Sequence, residues 1–325
     1  MSLVRLLARR VVFGLILVFV VSSGAALLTR VSPGAIIADL VASGASRETI
    51  EHERARYGLD RPLLEQYVSW LSHAARLDFG ESLMFSRPVG QLVRQSAVNT
   101  ALLGLTALAL ATLAGIPLGI VSGSRRRGAL TSSIRAASLL CLSLPPLVTS
   151  LVFVFVAART GWFPIGGMTS IEGAQADWVP WLRDVAWHLP VPALALALPL
   201  AAMLERLQSQ ATGETLDQPY MLATIARGVP RSRLVWRDSF KASLRPVASI
   251  YGLIVGGLLS GSFVVEIVTS WPGLGRLMFD ALRSRDLYLV AGCATAGSIF
   301  LAAGGLLSDV ALALTDPRMR AGERS

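Results

Sequence analysis

Between its charged residues the chain carries six long uncharged stretches: Val11 to Thr29, Ser96 to Ser124, Ala136 to Ala158, Leu189 to Leu204, Val247 to Val265 and Leu287 to Ser308. A helix needs roughly 20 apolar residues to cross a hydrocarbon core ~30 Å thick, and most of these stretches meet that length. The fourth is the shortest and carries Pro190, Pro192 and Pro199; His188 and Arg206, placed at the two interfaces, lengthen it. With 53% of residues apolar and only 16% charged, there is too little charge to clothe a water-soluble surface. The pattern predicts an all-α polytopic membrane protein with six transmembrane helices, a single transmembrane domain over 1–325.

A net charge of +9 would also suit a nucleic-acid partner, so the placement of the charges decides. With the N-terminus in the cytoplasm, the cytoplasmic segments hold Arg5, Arg9 and Arg10, then Arg125, Arg126, Arg127 and Arg135, the basic residues from Arg206 to Arg245, and Arg318, Arg320 and Arg324. That side is strongly positive and the other is close to neutral, so the positive-inside rule puts both termini in the cytoplasm. The basic excess is a topology signal of a cytoplasmic (inner) membrane protein, and nucleic acid drops out. The first stretch exceeds the roughly 7–15 apolar residues of a secretory signal and reads as an uncleaved helix. Cys141 and Cys293, the only cysteines, fall inside the third and sixth stretches and read as packing residues, not a disulfide framework.

Residues 31–95 form the longest segment on the outer side. Ser46 as a cap, Glu48 in the first turn and Gly58 as a stop predict one short helix. The helical spacing of Leu63, Tyr67, Trp70, Leu71 and Ala74 predicts a second, amphipathic one. Within the spans Gly115, Gly119 and Gly123 recur every four residues, as do Gly257 and Gly261, a spacing that lets helix backbones approach closely. Packing inside the chain accounts for it better than a dimerisation face. Pro145 and Pro146 must kink or break the third stretch, and the break is expected to line protein or a cavity, because lipid-exposed backbone tolerates it poorly.

The cytoplasmic loop over 212–245 is more unusual. Asp217 suits an N-cap, Pro219 fits the first turn, Arg227 the last, Gly228 can take a left-handed cap and Pro230 blocks continuation. A helix from about Gln218 to Arg227 follows. At ~15 Å it is too short to span and marginal alone in water, yet it offers Tyr220, Met221, Leu222, Ala223 and Ile225 to the cytosol. Two readings fit it equally: it folds against the cytoplasmic ends of its own bundle, or it docks into a partner protein.

Tyr220 to Gly228, with Pro246 eighteen residues beyond that glycine, resembles the EAA-type coupling loop of permease subunits of binding-protein-dependent ABC importers. The wider resemblance is to the dipeptide/oligopeptide/nickel family, and there to its B-type subunit. It runs through "YGLDRPLLEQYVSWL", "LDFGESL", "RPVGQLV", "GIPLGI", "SLPP", "GWFPIGG", "HLPVPALALAL", "LLSGSFVVEIV", "WPGLGRL", "ALRSRD" and "TDPRMR", in that order along nearly the whole chain. It implies a type I ABC importer-like permease fold that works by alternating access. It also implies a homologous C-type permease, two ABC ATPase subunits and an extracytoplasmic substrate-binding protein as partners, within membrane lipid. The residues expected to sit in a groove of the ATPase are Tyr220, Met221, Leu222, Ala223, Thr224, Ile225, Ala226, Arg227 and Gly228. The chain departs from the family where Ala35 and Ile36 follow Pro33 and Gly34, at Thr224 and Ile225, and over Ser239 to Ser243, which bears on which ATPase it accepts.

The resemblance requires that ATP chemistry lie elsewhere. A phosphate-cradling Walker loop needs Gly-Lys before Ser or Thr, and the sole lysine, Lys241, follows Phe240. ATP and Mg are expected on the partner ATPases, with no cofactor in this chain. An enzyme is disfavoured because the six stretches hold no acid or base; His52, His73 and His188 are too scattered for a metal cluster. A secondary transporter is the main rival, but coupling to an ion usually leaves ionisable groups at mid-membrane; Glu266 and Asp309 come closest, at span ends where snorkelling would accommodate them. A bare scaffold would leave the capped loop helix unexplained. On the outer side, Asp280, Arg283, Arg285 and Asp286, together with Trp271 at the turn it forms with Pro272 and Gly273, are either a solvated loop with local ion pairs or the contact for the binding protein. The expected substrates are di- or oligopeptides, with nickel chelates, glutathione or another small solute as the alternative, carried between this chain and the C-type subunit through a cavity lined partly by the third and fifth stretches.

Overall fold

The computed structural model describes residues 3–31, 78–82, 84–125, 128–248 and 250–315, with scattered positions between 46 and 72. Gly58, Leu63, Tyr67, Trp70 and Ala74 of the expected outer helices lie outside the described residues, as do Ala35, Ile36, Arg126, Arg127, Arg318, Arg320 and Arg324.

The first stretch lies in α1 (Leu3–Val31) and the second in α2 (Val89–Ser124). The third is divided between α3 (Ala129–Ser143) and α4 (Pro146–Thr160), and the fourth opens α6 (Pro190–Leu216), which α5 (Trp178–His188) precedes. The fifth begins in the helix that ends at Ala248 and lies mostly in α9 (Tyr251–Val268), and the sixth lies in α11 (Leu287–Thr315). Of these, α2, α6 and Tyr288–Leu306 of α11 are each long and apolar enough to cross a membrane, and α3 with α4 qualifies as a pair; the described apolar runs in α1 and α9, Val11–Gly24 and Ile254–Val268, are shorter. The protein is an all-α polytopic membrane protein. Among the described residues the only strand pairing is β1 (Glu81–Ser82) with β2 (Arg87–Pro88), antiparallel, just before α2.

The glycine stripe of α2 makes the most intimate seam of the bundle. A Cβ built on Gly115 would lie 2.6 Å from the Ala201 carbonyl oxygen and one on Gly119 2.6 Å from Gln208 Cβ, and one on Gly123 would collide with the Ser209 carbonyl oxygen. Side chains there would hold the two backbones apart, so α2 and α6 meet only because the stripe is bare, which is intrachain packing. The pair in α9 is not used this way: Gly257 has nothing within 4 Å and Gly261 makes ordinary contacts with Leu196 and Pro146.

The third stretch breaks more sharply than a kinked span. α3 and α4 meet at 105°, with Leu144 (φ −91°, ψ 115°) and Pro145 (φ −61°, ψ 152°) extended between them. Two successive prolines remove two backbone donors and push the preceding residue out of the helical region. Most large apolar side chains of this pair, Leu139, Leu140, Leu151 and Phe155 among them, are exposed, as suits a lipid-facing surface.

Two cores hold the bundle. The larger joins Leu103, Ala107 and Ile120 of α2 to Ala193, Leu196 and Leu204 of α6 and to Ile254, Leu258 and Val265 of α9. In the smaller, Phe79, Val89 and Val93 meet Leu274, Leu277 and Ala281 of α10 (Leu274–Arg283) and Leu289 and Cys293 of α11. Cys293 is thus a packing residue, whereas Cys141 is half-exposed on α3.

Candidate functional site

α6 runs into the loop over 212–245 without a break, and α7 (Pro219–Ala226) follows two residues later. The expected helix forms one residue shorter at each end. Asp217 closes α6, in helical conformation, and Gln218 (φ −70°, ψ 142°) is the N-cap, because Pro219 forces its predecessor to be extended. Gly228 adopts φ +80° and its N–H donates to the Ile225 carbonyl at 2.9 Å, while the Arg227 N–H donates to Ala223 at 3.2 Å. Pro230 then caps the next helical run, a single turn Arg231–Arg233 that passes through a π-helical segment, Leu234–Ser239, into α8 (Phe240–Ala248).

The helix turns one apolar side chain inward. Met221 is 2% exposed, whereas Tyr220, Leu222 and Ile225 are each half or more exposed, with Ala223 and Ala226 beside them in the open. Thr224 Oγ1 donates to the Tyr220 carbonyl at 2.8 Å and accepts from Arg227 Nη2 at 3.0 Å, so the guanidinium folds back along its own helix. A cavity of about 510 Å³ opens behind α7, bounded by Leu216, Leu222, Ile225, Val229 and Leu234, and Arg231 on its wall donates to the Ser124 carbonyl at 2.9 Å, tying the loop to the end of α2.

Just above α7 lies a buried polar seam that the sequence reading passed over. Ser122 Oγ donates to Glu205 Oε1, and Gln208 Nε2 donates to Thr212 Oγ1 at 3.0 Å and to Ser243 Oγ at 2.8 Å, joining α2, α6 and α8. Glu205 is 1% exposed, although Arg206 follows it directly in the chain. The signal was present: Glu205, Gln208 and Thr212 recur at helical spacing on the face of α6 that meets the glycine stripe.

At the end of the bundle remote from α7 two expectations are corrected. Trp271 is fully buried, its Nε1 donating to the Asn99 carbonyl at 3.0 Å, and Asp286 is fully buried as well, accepting from Ser82 Oγ at 2.6 Å and from the Met84 and Leu289 N–H groups. Both face this chain's own interior, so neither is part of a contact surface for another protein. Arg283 and Arg285 are exposed and Asp280 half-buried. Glu266 does not snorkel. It accepts from Thr100 Oγ1 at 2.8 Å and from the Gly275 N–H at 2.7 Å, which makes it the cap of α10, buried in the bundle.

An apolar cavity of about 700 Å³ lies between α2, α8, α9 and α11, with Leu108, Ile116, Tyr251, Leu258 and Phe300 in its walls. Thr112 Oγ1 and Tyr251 Oη, 2.9 Å apart, are bonded across it. This cavity lies within the chain: the fifth stretch supplies part of its lining through α9, and the third stretch supplies none.

Residues 115–321 match the model of the family described as binding-protein-dependent transport system inner membrane component. The oligopeptide transport system permease protein AppB of Bacillus subtilis is 30% identical over 88% of this chain and 89% of its own length. A Brucella suis protein named as a peptide permease protein is 34% identical over 82% of this chain and 83% of its own, and a Brucella abortus protein named as a peptide transport system permease protein is 30% identical over 97% and 98%. With glycine-tied spans, a short punctuated loop helix and this match over most of its length, the chain belongs to the family of inner-membrane components of binding-protein-dependent transport systems.

Proposed function

We propose that the chain is the B-type permease subunit of an ATP-driven importer of di- or oligopeptides, and that α7 is where the ATPase acts on it. The peptide assignment draws on the names carried by relatives that match it nearly end to end. The coupling assignment is supported by one observation above all: a two-turn helix, marginal alone, exposes Tyr220, Leu222 and Ile225 and buries only Met221. Apolar side chains so displayed are suited to a partner's groove. In this reading both termini and α7 lie in the cytoplasm, a C-type permease completes the pathway, and two ATPase subunits carry the ATP and Mg. The binding protein meets the outer surface near Arg283 and Arg285. Nucleotide and peptide then occupy distinct sites that bias one inward-open to outward-open equilibrium.

The test is Ala223→Glu in the assembled complex reconstituted with its ATPases and binding protein. Position 223 is exposed, so the chain should insert and assemble with its fold intact, while a carboxylate in an apolar groove loses several kcal/mol of docking. Peptide uptake should vanish and ATP hydrolysis should cease to respond to loaded binding protein. Uptake and stimulation at parental levels would refute the assignment.

A further inference from the structure

The segment from Gly161 to Leu189 joins the end of α4 to the start of α6, at the end of α6 remote from α7. It contains four of the chain's seven tryptophans, Trp162, Trp178, Trp181 and Trp187. All four are exposed, Trp178 to 76% and Trp162 to 68%, with Ile171 and Leu182 open beside them. Apolar surface gathered on this scale marks a site that something other than water covers.

The segment is held in place from its inner side. The Gly167 N–H donates to the Thr269 carbonyl at 2.8 Å, and a Cβ on Gly166 would lie 2.5 Å from the same oxygen, so the chain is pressed onto the turn after α9. Asp184 of α5 accepts from the Ser170 N–H at 2.6 Å and from Ser170 Oγ at 3.1 Å, and the Phe163 and Trp187 rings sit 5.2 Å apart between centroids. The indoles are presented outward from a fixed collar.

Depth identifies the cover. Trp162 follows the last residue of α4 by two positions and Trp187 precedes the first residue of α6 by three. At ~3.6 Å per residue at most, they lie within about 7 and 11 Å of those helix ends. The headgroup layer on each side of a ~30 Å core is roughly 5–8 Å thick, and it is where tryptophan concentrates in membrane proteins. α4, which leads into the segment, likewise exposes Leu151, Val152 and Phe155. A partner that docks and departs in each cycle would leave four indoles in water between visits; lipid is always present. We infer that the collar 161–189, including α5, lies in the headgroup layer of the membrane face opposite α7, with phospholipid as the partner of its indoles. It holds the adjoining ends of α4 and α6 at a fixed depth.

The test uses the full chain in phospholipid nanodiscs, with Cys141→Ser and Cys293→Ala as background. A nitroxide is attached in turn at W178C, V179C and W187C, with L151C on α4 and L222C on α7 as references, and its access to molecular oxygen and to a water-soluble nickel chelate is measured by electron paramagnetic resonance. V179C keeps all four tryptophans and reports even where a tryptophan replacement fails to fold. Oxygen access above nickel access at the collar positions, at a depth shallower than L151C, is the expected result. Nickel access equal to that of L222C would place the collar in water and overturn the inference. So would a depth equal to that of L151C, or a label at V179C that is water-exposed until binding protein is added.

Discussion

Gly228 offers the sharpest quantitative test of the loop helix. Its φ of +80° is a conformation in which an L side chain clashes with its own backbone, while a Cβ built there has nothing else within 4 Å. Substitution therefore carries a backbone cost with no packing cost mixed in. That cost is roughly 1–2 kcal/mol for an ordinary residue, more for a β-branched one, and less for Asn, whose side chain tolerates this region. A shift of 1–2 kcal/mol changes an equilibrium by roughly 5–30-fold, enough to unwind the last turn of a helix of eight residues and move Ile225, whose carbonyl holds the Gly228 N–H. Uptake by the reconstituted complex should fall in the order parent, Gly228→Asn, Gly228→Ala, Gly228→Val, with equal amounts of each chain in the membrane and the loss tracking loss of stimulated ATPase activity. Equal uptake by Gly228→Val and parent, or a loss with Asn as large as with Val, would refute the reasoning.

Gly119→Ala should lower the thermal stability of the detergent-solubilised chain by about 1–3 kcal/mol, since the new methyl meets Gln208 Cβ and the Glu205 carbonyl; Gly257→Ala, which meets nothing within 4 Å, should leave the melting curve unchanged. Asp286→Ala should cost about 1–3 kcal/mol by orphaning the Ser82 hydroxyl and the Leu289 N–H, read as faster protease cleavage near residue 82. Arg283→Ala should leave that cleavage alone and weaken the complex with binding protein, read by surface binding.

The parts of this molecule that can be read from sequence are those decided by neighbours along the chain. Absence of charge places the spans, and Pro219, Gly228 and Pro230 punctuate α7 to within a residue because caps and left-handed stops are local events. The glycine stripe of α2 shows that a backbone comes close, though not which one. Carboxylates are harder. Glu266 at the end of a span has two outcomes open to it, reaching for water or capping a helix, and the choice depends on α10 arriving beside it. Glu205 is similar: its partner, Ser122, lies 83 residues away. Trp271 and Asp286 look like surface residues in a polar loop, and only the fold shows that Asn99 and Ser82 claim them. The proline pair announces a break in the third stretch but not its angle, which packing sets.

Motion at α7 has a physical route to the opposite end of the bundle. Two residues separate α7 from α6. The bare glycine stripe locks α6 to α2, and the first part of α2 holds the turn before α10 through Asn99 and Thr100. The 700 Å³ cavity lies where α2 faces α9, and the Thr112 to Tyr251 bond spans that gap. If α2 and α6 move as one body, this bond is made in one state and broken in the other. Removing it should then shift the balance of states by the net worth of a hydrogen bond, about 0.5–1.5 kcal/mol, or roughly two- to thirteen-fold. Tyr251→Phe and Thr112→Val should each change the ratio of basal to stimulated ATPase activity in the same direction, and the double variant should go no further than either alone. Strictly additive effects would mean that the two hydroxyls act independently, and that the gap between α2 and α9 is not the joint at which the spans part.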